Sequence, residues 1–180
     1  MSANVSIILS IYNSGNSVKK TIQSILNQDY KNFELIIIND GSTDNTKKIL
    51  AEYKKQNKIR IFNFDCNLGL ASRLNFGLSK SIANYILRID DNDLIPKKRI
   101  RFQLNQLKKY KNLDIIGGCA LYIDGSRKKK VDVFTKDNEI KNQMKFYNPL
   151  IHSSVMFKKK SILKLGGYNE SFFPMGYWKS

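Results

Sequence analysis

The chain is poor in the residues that mark special chemistries. Its 180 residues include two cysteines, Cys66 and Cys119, three prolines and one histidine, His152. The cysteines have no metal-ligand spacing and suggest no disulfide framework, which suits a reducing cytoplasm. No run approaches the roughly 20 apolar residues of a membrane-spanning helix. Residues 1–4 carry no basic region and no cleavage site, so no secretory signal is expected. Glycine-rich phosphate cradles are missing as well. No Gly-x-Gly-x-x-Gly follows the first apolar run, and no Walker Gly-Lys-Ser/Thr occurs. A dinucleotide oxidoreductase and a P-loop kinase are therefore poor fits, and a bound diphosphate would need a cation instead.

Acidic residues are scarce: 15 Asp and Glu stand against 31 Lys and Arg, for a net charge of +16. The basic residues are mostly lysine, spread along the chain among abundant Asn and Ile. They read either as solvated lysine faces or as an attraction to phosphates, nucleic acid or anionic lipid. Only Arg127-Lys128-Lys129-Lys130 and Lys158-Lys159-Lys160 are dense. Aromatics are not interleaved with them as in nucleic-acid grooves, so nucleic acid is not an expected partner. Peripheral membrane association stays open.

What is present is an ordinary globular composition, 42% hydrophobic and 11% aromatic, enough for one domain with a real core. Val5-Ser6-Ile7-Ile8-Leu9-Ser10-Ile11 and Phe33-Glu34-Leu35-Ile36-Ile37-Ile38-Asn39 are continuous runs, as in strands buried on both faces. Between them Val18, Ile22, Ile25 and Leu26 fall at helical spacing, with Asn16 or Ser17 available as N-cap. A lysine-rich helix is expected over 43–57, a strand over 59–64, a helix over 69–81 and a strand in Tyr85-Ile86-Leu87-Arg88-Ile89. This alternation implies a mostly parallel sheet flanked by helices. After Pro96 the pattern loosens: a helix over 97–110, a hairpin at Asp124-Gly125-Ser126, a short helix over 137–145 and a strand over 153–157. Residues 1–95 read as a nucleotide-binding half and 96–180 as a smaller, mixed acceptor-side half.

Polar residues cluster where the strands end, the edge at which α/β proteins bind ligands. They are Ser10, Tyr12 and Asn13; Asn39, Asp40, Ser42 and Asp44; Asp65, Asn67 and Gly69; and Asp90-Asp91-Asn92-Asp93. Asp40 is placed to accept a hydrogen bond from a base N–H, and Tyr12 offers a face for stacking. Alone, Asp40-Gly41-Ser42-Thr43-Asp44 is a capped turn. The Asp90–Asp93 cluster, unless it is an Asx-rich turn capping the next helix, is a hard-oxygen site for Mg²⁺ or Mn²⁺ that could hold a diphosphate.

These segments, with Asn67-Leu68-Gly69-Leu70-Ala71, Asn75-Phe76-Gly77, His152-Ser153-Ser154-Val155-Met156-Phe157 and Gly166-Gly167-Tyr168-Asn169-Glu170, resemble the family 2 glycosyltransferases of the GT-A fold. The resemblance covers nearly the whole chain. It implies inverting transfer of a sugar from a nucleotide-sugar donor, commonly UDP-linked, to a saccharide or lipid-linked acceptor. Bacterial surface polysaccharide synthesis, in the cytoplasm at the inner face of the membrane, is the implied setting. By position Ser10, Tyr12 and Asp40 would hold the base, with Asn13 and Asn67 beside them. Arg73 would approach base or phosphates, and Asp90 and Asp91 would meet ribose, sugar and metal. Asn92 stands where the family has an aspartate, so an Asp91-Asn92-Asp93 register is the alternative for Mn²⁺ or Mg²⁺. His152 would touch the metal or the phosphates, or be a hydrogen-bonded structural residue.

An inverting enzyme also needs a general base. The family's aspartate is expected shortly beyond Gly-Gly-Tyr, yet no aspartate follows Asp137. Glu170 is a weak candidate, since its segment more often orders a loop. The chain therefore reads as C-terminally truncated, with donor binding intact and turnover impaired. A non-catalytic nucleotide-binding or scaffolding fragment is the second reading. A nucleotidyltransferase would need a glycine- and basic-rich loop that Tyr12-Asn13-Ser14-Gly15-Asn16 does not supply.

Overall fold

The computed structural model describes residues 3–172. Along the chain come β1 (Val5–Ile11), α1 (Ser17–Leu26), β2 (Phe33–Asp40), α2 (Thr46–Ala51), β3 (Ile59–Phe64), α3 (Leu70–Lys80) and β4 (Tyr85–Asp90). They are followed by α4 (Arg99–Lys109), β5 (Ile115–Ile116), β6 (Ala120–Asp124), β7 (Arg127–Val131), α5 (Asp137–Gln143), β8 (Met156–Lys158) and α6 (Lys159–Lys164). The main sheet has the order β3-β2-β1-β4-β8-β5. Its first four strands are parallel, and β8 runs antiparallel to both β4 and β5. The strands of the second half thus extend the sheet of the first.

Every residue of β1 and β2 is buried, which is why both read as unbroken apolar runs. Val5, Ile7, Leu9 and Ile11 pack with Ile22 and Ile25 of α1, Leu50 of α2 and Leu104 of α4 on one face. Ile8, Ile36 and Ile38 pack with Leu74 and Leu78 of α3 on the other. Strand order reverses between β1 and β4, and such a reversal opens a crevice at the carboxyl ends of the strands. Among the described residues no helix is long and apolar enough to cross a membrane.

Two elements are shorter than expected. The helix expected over 43–57 is confined to α2. At its start Asp44 Oδ1 accepts the Thr46 N–H at 2.9 Å. At its end the N–H groups of Glu52, Tyr53 and Lys54 turn to carbonyls three residues back, the tighter 3₁₀ pattern. The strand expected over 153–157 is also divided. His152–Ser154 is a 3₁₀ turn, and only Met156–Lys158 is strand. Glu34, a carboxylate in the buried β2, is satisfied at the opposite edge by Ser6 Oγ at 2.5 Å, the Ile82 N–H at 2.8 Å and Arg60 at 2.9 Å.

Helix α3 can lie close to the sheet because Gly77 lacks a side chain. A Cβ there would stand 2.7 Å from Ile8 Cγ2 and 3.0 Å from Ile38 Cδ1. Ala gains about 1 kcal/mol of helix propensity, while overpacking a core costs about 1–3 kcal/mol. Gly77→Ala is therefore expected to destabilise the chain by up to about 2 kcal/mol. A urea melt in which the variant matched or exceeded the wild type would contradict the close packing.

Candidate functional site

At the carboxyl edge the ends of β1, β2 and β4 stand side by side. Ser10 pairs in register with Asp90 on one side and Ile38 on the other, and Ile11 pairs with Asn39. Ser10 is buried, whereas Tyr12 is 40% exposed, so its ring is open to solvent. Asn13 laces the β1 loop to the β2 loop: its Oδ1 accepts the Thr43 N–H at 2.8 Å, and its own N–H donates to Ser42 Oγ at 2.9 Å.

Asp40, at the end of β2, is only 3% exposed. Its Oδ1 accepts the Leu68 N–H at 2.9 Å and the Arg73 Nε–H; its Oδ2 accepts the Gly69 N–H at 2.9 Å. Arg73 is equally enclosed, donates through Nη2 to the Cys66 carbonyl at 2.7 Å and lies 3.7 Å over the Phe64 ring. Its guanidinium thus faces Asp40 from inside the protein. Asn67 accepts the same Gly69 N–H at 3.0 Å and so closes its own loop. Gly41 lets the β2 end and this loop meet: at φ +72°, a Cβ would lie 2.5 Å from the Cys66 carbonyl carbon.

A second buried pair stands on β4. Arg88, 2% exposed, grips Asp90 through both terminal nitrogens, with Nη1 to Oδ2 at 2.6 Å. Its Nε has no hydrogen-bond partner among the described residues. Burial nevertheless raises the pKa of Asp90; Arg88 opposes the rise, and the Asp93 and Asp91 carboxylates add to it. Asp91 is raised too, first by burial and further by Asp93 and Asp44. Its Oδ1 accepts the Asn92 N–H at 2.9 Å. Asn92 sits at φ 67°, in the left-handed region that Asn and Asp tolerate better than other side chains. The four residues form a turn closed by the Asp93 N–H on the Asp90 carbonyl at 3.3 Å.

Among the described residues no three His, Cys, Asp or Glu side chains converge as a ready-made cation cage. The acidic knot of the sequence is instead divided, because Arg88 engages Asp90. Asp91 and Asp93 remain half-buried, and repulsion helps to raise Asp91. Two crowded carboxylates suit Mg²⁺ or Mn²⁺, ions usually held by one or two carboxylates plus substrate phosphates rather than by a protein cage. The donor set fits such an ion on those terms.

His152 opens the 3₁₀ turn, with its ring 5.6 Å from that of Tyr168. Burial, helped by the charge of Arg88, pushes its pKa down to about 4, so the imidazole is neutral near pH 7. Burial likewise pushes the Tyr168 hydroxyl up to about 12. Glu170 is occupied: Asn75 Nδ2 donates to its Oε1 at 2.7 Å and to the Tyr168 carbonyl at 2.9 Å, while Asn75 Oδ1 accepts the Tyr168 N–H at 2.8 Å. The expected position of the general base, in residues 173–180, lies outside the described residues.

Sequence reasoning missed three of these side chains, Arg88, Arg99 and Asn75. Arg99 donates to the Arg88 carbonyl at 3.2 Å and the Ser153 carbonyl at 2.9 Å, and burial lowers its pKa to about 10. A signal existed for Arg88, since a charge inside Ile86-Leu87-Arg88-Ile89 requires a buried partner. For Asn75 the signal was its place in the Asn75-Phe76-Gly77 segment, but its partners lie far along the chain and were not legible.

Comparison with known proteins adds the lineage. The family model for glycosyl transferase family 2 matches residues 6–166. An uncharacterized glycosyltransferase of Haemophilus influenzae is 34% identical over 173 residues, covering 89% of this chain and 53% of that protein. The poly-beta-1,6-N-acetyl-D-glucosamine synthase of Staphylococcus epidermidis is 32% identical over 114 residues, covering 63% of this chain and 28% of that protein. Among solved structures, Staphylococcus aureus TarS 1-349 with UDP superposes with a TM-score of 0.72 at 18% identity, over 93% of this chain and 50% of that one. The Pyrobaculum calidifontis mannosyltransferase PcManGT, with GDP-Man and Mn²⁺, gives 0.69 at 16% identity, over 93% and 48%. These two likenesses bear on the fold, an α/β architecture of the GT-A type. The chain spans between 53% and 59% of the length of the first curated relatives it matches. With most of its length matched by the family model and by a relative at 34% identity, this chain belongs to glycosyl transferase family 2.

Proposed function

We propose that the chain binds a nucleotide sugar, UDP-linked by preference, at the carboxyl edge between β1 and β4 and passes the sugar to an acceptor hydroxyl with inversion. The observation that carries this reading is the meeting of an exposed aromatic ring, a buried base-side carboxylate and an under-compensated acidic turn at one reversal of strand order. Tyr12 would stack on the base, and Ser10, Asn13 and Asn67 would line it. A carboxylate has about four acceptor positions. Three of those on Asp40 are filled from within, by Leu68, Gly69 and Arg73, which leaves one for a base N–H. Arg73 would then act through Asp40. Asp90 would meet the ribose and the sugar.

Mn²⁺ or Mg²⁺ would be held by Asp91 and Asp93 with the diphosphate, and Asn92 and the neutral His152 complete the candidate donors. The ion would supply charge stabilisation as the nucleoside diphosphate leaves. PcManGT was solved with Mn²⁺ and TarS with UDP, which supports the same ligands here. The acceptor we propose is a saccharide or lipid-linked saccharide of bacterial surface polysaccharide synthesis, met in the cytoplasm at the membrane's inner face; the similarity to a polysaccharide synthase supports that setting. A chain that binds nucleotide without turnover is the second reading, favoured by the engagement of Glu170 with Asn75.

Titration calorimetry tests the donor site. UDP with Mn²⁺ should bind the wild type, and Asp91→Asn should weaken that binding at least tenfold, about 1.4 kcal/mol, while binding in EDTA stays the same. Failure of UDP and of other nucleoside diphosphates to bind would sink the reading. Hydrolysis or transfer of a nucleotide sugar by the chain would eliminate the non-catalytic alternative.

Loss of one partner from a buried ion pair costs about 3–5 kcal/mol. Arg73→Leu should therefore lower unfolding stability by that order as well as weaken UDP binding. An Arg73→Leu chain of wild-type stability would place the guanidinium outside the Asp40 pair.

His152 predicts a pH dependence. Its folded pKa, about 4, lies below the unfolded 6.5, so between those values the unfolded chain binds more protons. The contribution of His152 is thus fully present above pH 6.5 and is lost as pH falls towards 4, at up to about 1.4 kcal/mol per pH unit. Asp90 and Asp91, being raised, act with the opposite sign, so the measurement is a difference. Stability of His152→Gln minus that of wild type should rise on acidification across this window. A difference independent of pH would mean that the imidazole is not desolvated.

A further inference from the structure

Among the described residues the strands β6 and β7 pair only with each other, as a ribbon apart from the main sheet. The ribbon leaves the fold just after Gly118, whose N–H donates to Ser154 Oγ at 2.9 Å, in the same short turn as His152. Leu121, Tyr122 and Ile123 are 53%, 64% and 57% exposed, and all of β7 is exposed. Such a two-stranded ribbon is at best marginally stable in water.

Register decides which side chains share a face. Leu121 lies opposite Lys130 and Ile123 opposite Lys128, so two aliphatic and two cationic side chains form one face. Tyr122 opposite Lys129 and Asp124 opposite Arg127 form the other. A protein surface closing over Leu121 and Ile123 would have to desolvate Lys128 and Lys130 with them, which is costly without paired anions. A layer of anionic headgroups meets both needs. The aliphatic side chains reach the acyl boundary, the lysine stems lie along it, and the ammonium groups stay with the phosphates.

We propose that the β6–β7 ribbon is the docking surface of this chain for an anionic phospholipid bilayer. It lies along the headgroup plane, with Leu121 and Ile123 towards the acyl chains and Lys128 and Lys130, on the same face, among the phosphates. Because the ribbon starts beside the turn of His152, docking brings the candidate site close to the lipid surface. The proposal deepens the membrane-side setting proposed above and rests on it only for the delivery of an acceptor. Vesicle binding is measured without nucleotide, so it stands or falls apart from donor binding.

The test is flotation of the full 180-residue chain with vesicles of phosphatidylcholine alone and of phosphatidylcholine with phosphatidylglycerol. The wild type should float with the anionic vesicles and not with the neutral ones. Near an anionic surface each lysine contributes enough that Lys128→Glu with Lys130→Glu should weaken partitioning at least about tenfold. Leu121→Ser with Ile123→Ser should weaken it several-fold, with unchanged melting by circular dichroism. Lys160→Glu with Lys164→Glu, the same change in net charge elsewhere, should have less than about a twofold effect. A wild type that does not float overturns the proposal, as does a control pair that falls as far as the ribbon pair. It is also overturned if ribbon variants float normally, including the case where they merely turn a dimer into a monomer in sedimentation.

Discussion

Two arginines buried at the carboxyl edge of the sheet need carboxylates beside them, and that need decides how the edge is built. Arg73 and Arg88 are 3% and 2% exposed, where an unpaired guanidinium would be prohibitively costly. Arg73 takes Asp40, and in doing so fixes the end of β2, the loop 66–69 and the start of α3 as one unit. Arg88 takes Asp90 and presents its backbone carbonyl to Arg99, which ties β4 to α4 and to the turn of His152. The two carboxylates that look most like ligand groups in the sequence are thus the counter-ions of the scaffold. Asp91 and Asp93, which no arginine engages among the described residues, stand one step further out along the same turn.

That division explains the charge state of the turn. A chain of net charge +16 would be expected to depress the pKa of its acids, yet those of Asp90 and Asp91 are raised. Desolvation and crowding outweigh the long-range field of the lysines, because solvated charges beyond about 10 Å are largely screened at ordinary salt. The protein's own lysines therefore leave the turn under-compensated, and His152, neutral beside Arg88, adds no positive charge to it.

The sequence made some of this legible and hid the rest for definable reasons. Strands β1 and β2 are visible because full burial leaves an unbroken apolar run, and α1 and α3 because their buried faces repeat at helical spacing. The parallel sheet follows from the alternation of those patterns, and the hairpin from its Asp124-Gly125-Ser126 turn. The length of α2 was not legible, since its lysine-rich end has no apolar stripe to mark where 3₁₀ turns take over. Nor was the division of 153–157, where a 3₁₀ turn precedes a three-residue strand that pairs antiparallel with β4. Each polar residue of the site was visible as a type, but its partner was not. Asp40 and Arg73 are 33 residues apart, and the strand ends alone gave no hint that they neutralise one another.

Helix α3 is the element through which the two halves of the site are linked. Arg73 reaches from it towards Asp40, and Asn75, two positions on, turns to the segment of Tyr168 and Glu170. That segment can approach because Gly167 lacks a Cβ, which would stand 2.6 Å from Asn75 Oδ1. The helix itself can lie against β1 and β2 because Gly77 is bare on its inner face. One rigid helix, held by a glycine against the sheet and by another against the following loop, therefore sets the distance between the end of β2 and the Gly-Gly-Tyr segment. The Asp40 carboxylate, through Arg73, and the Gly-Gly-Tyr segment, through Asn75, are thus both anchored on the first two turns of α3.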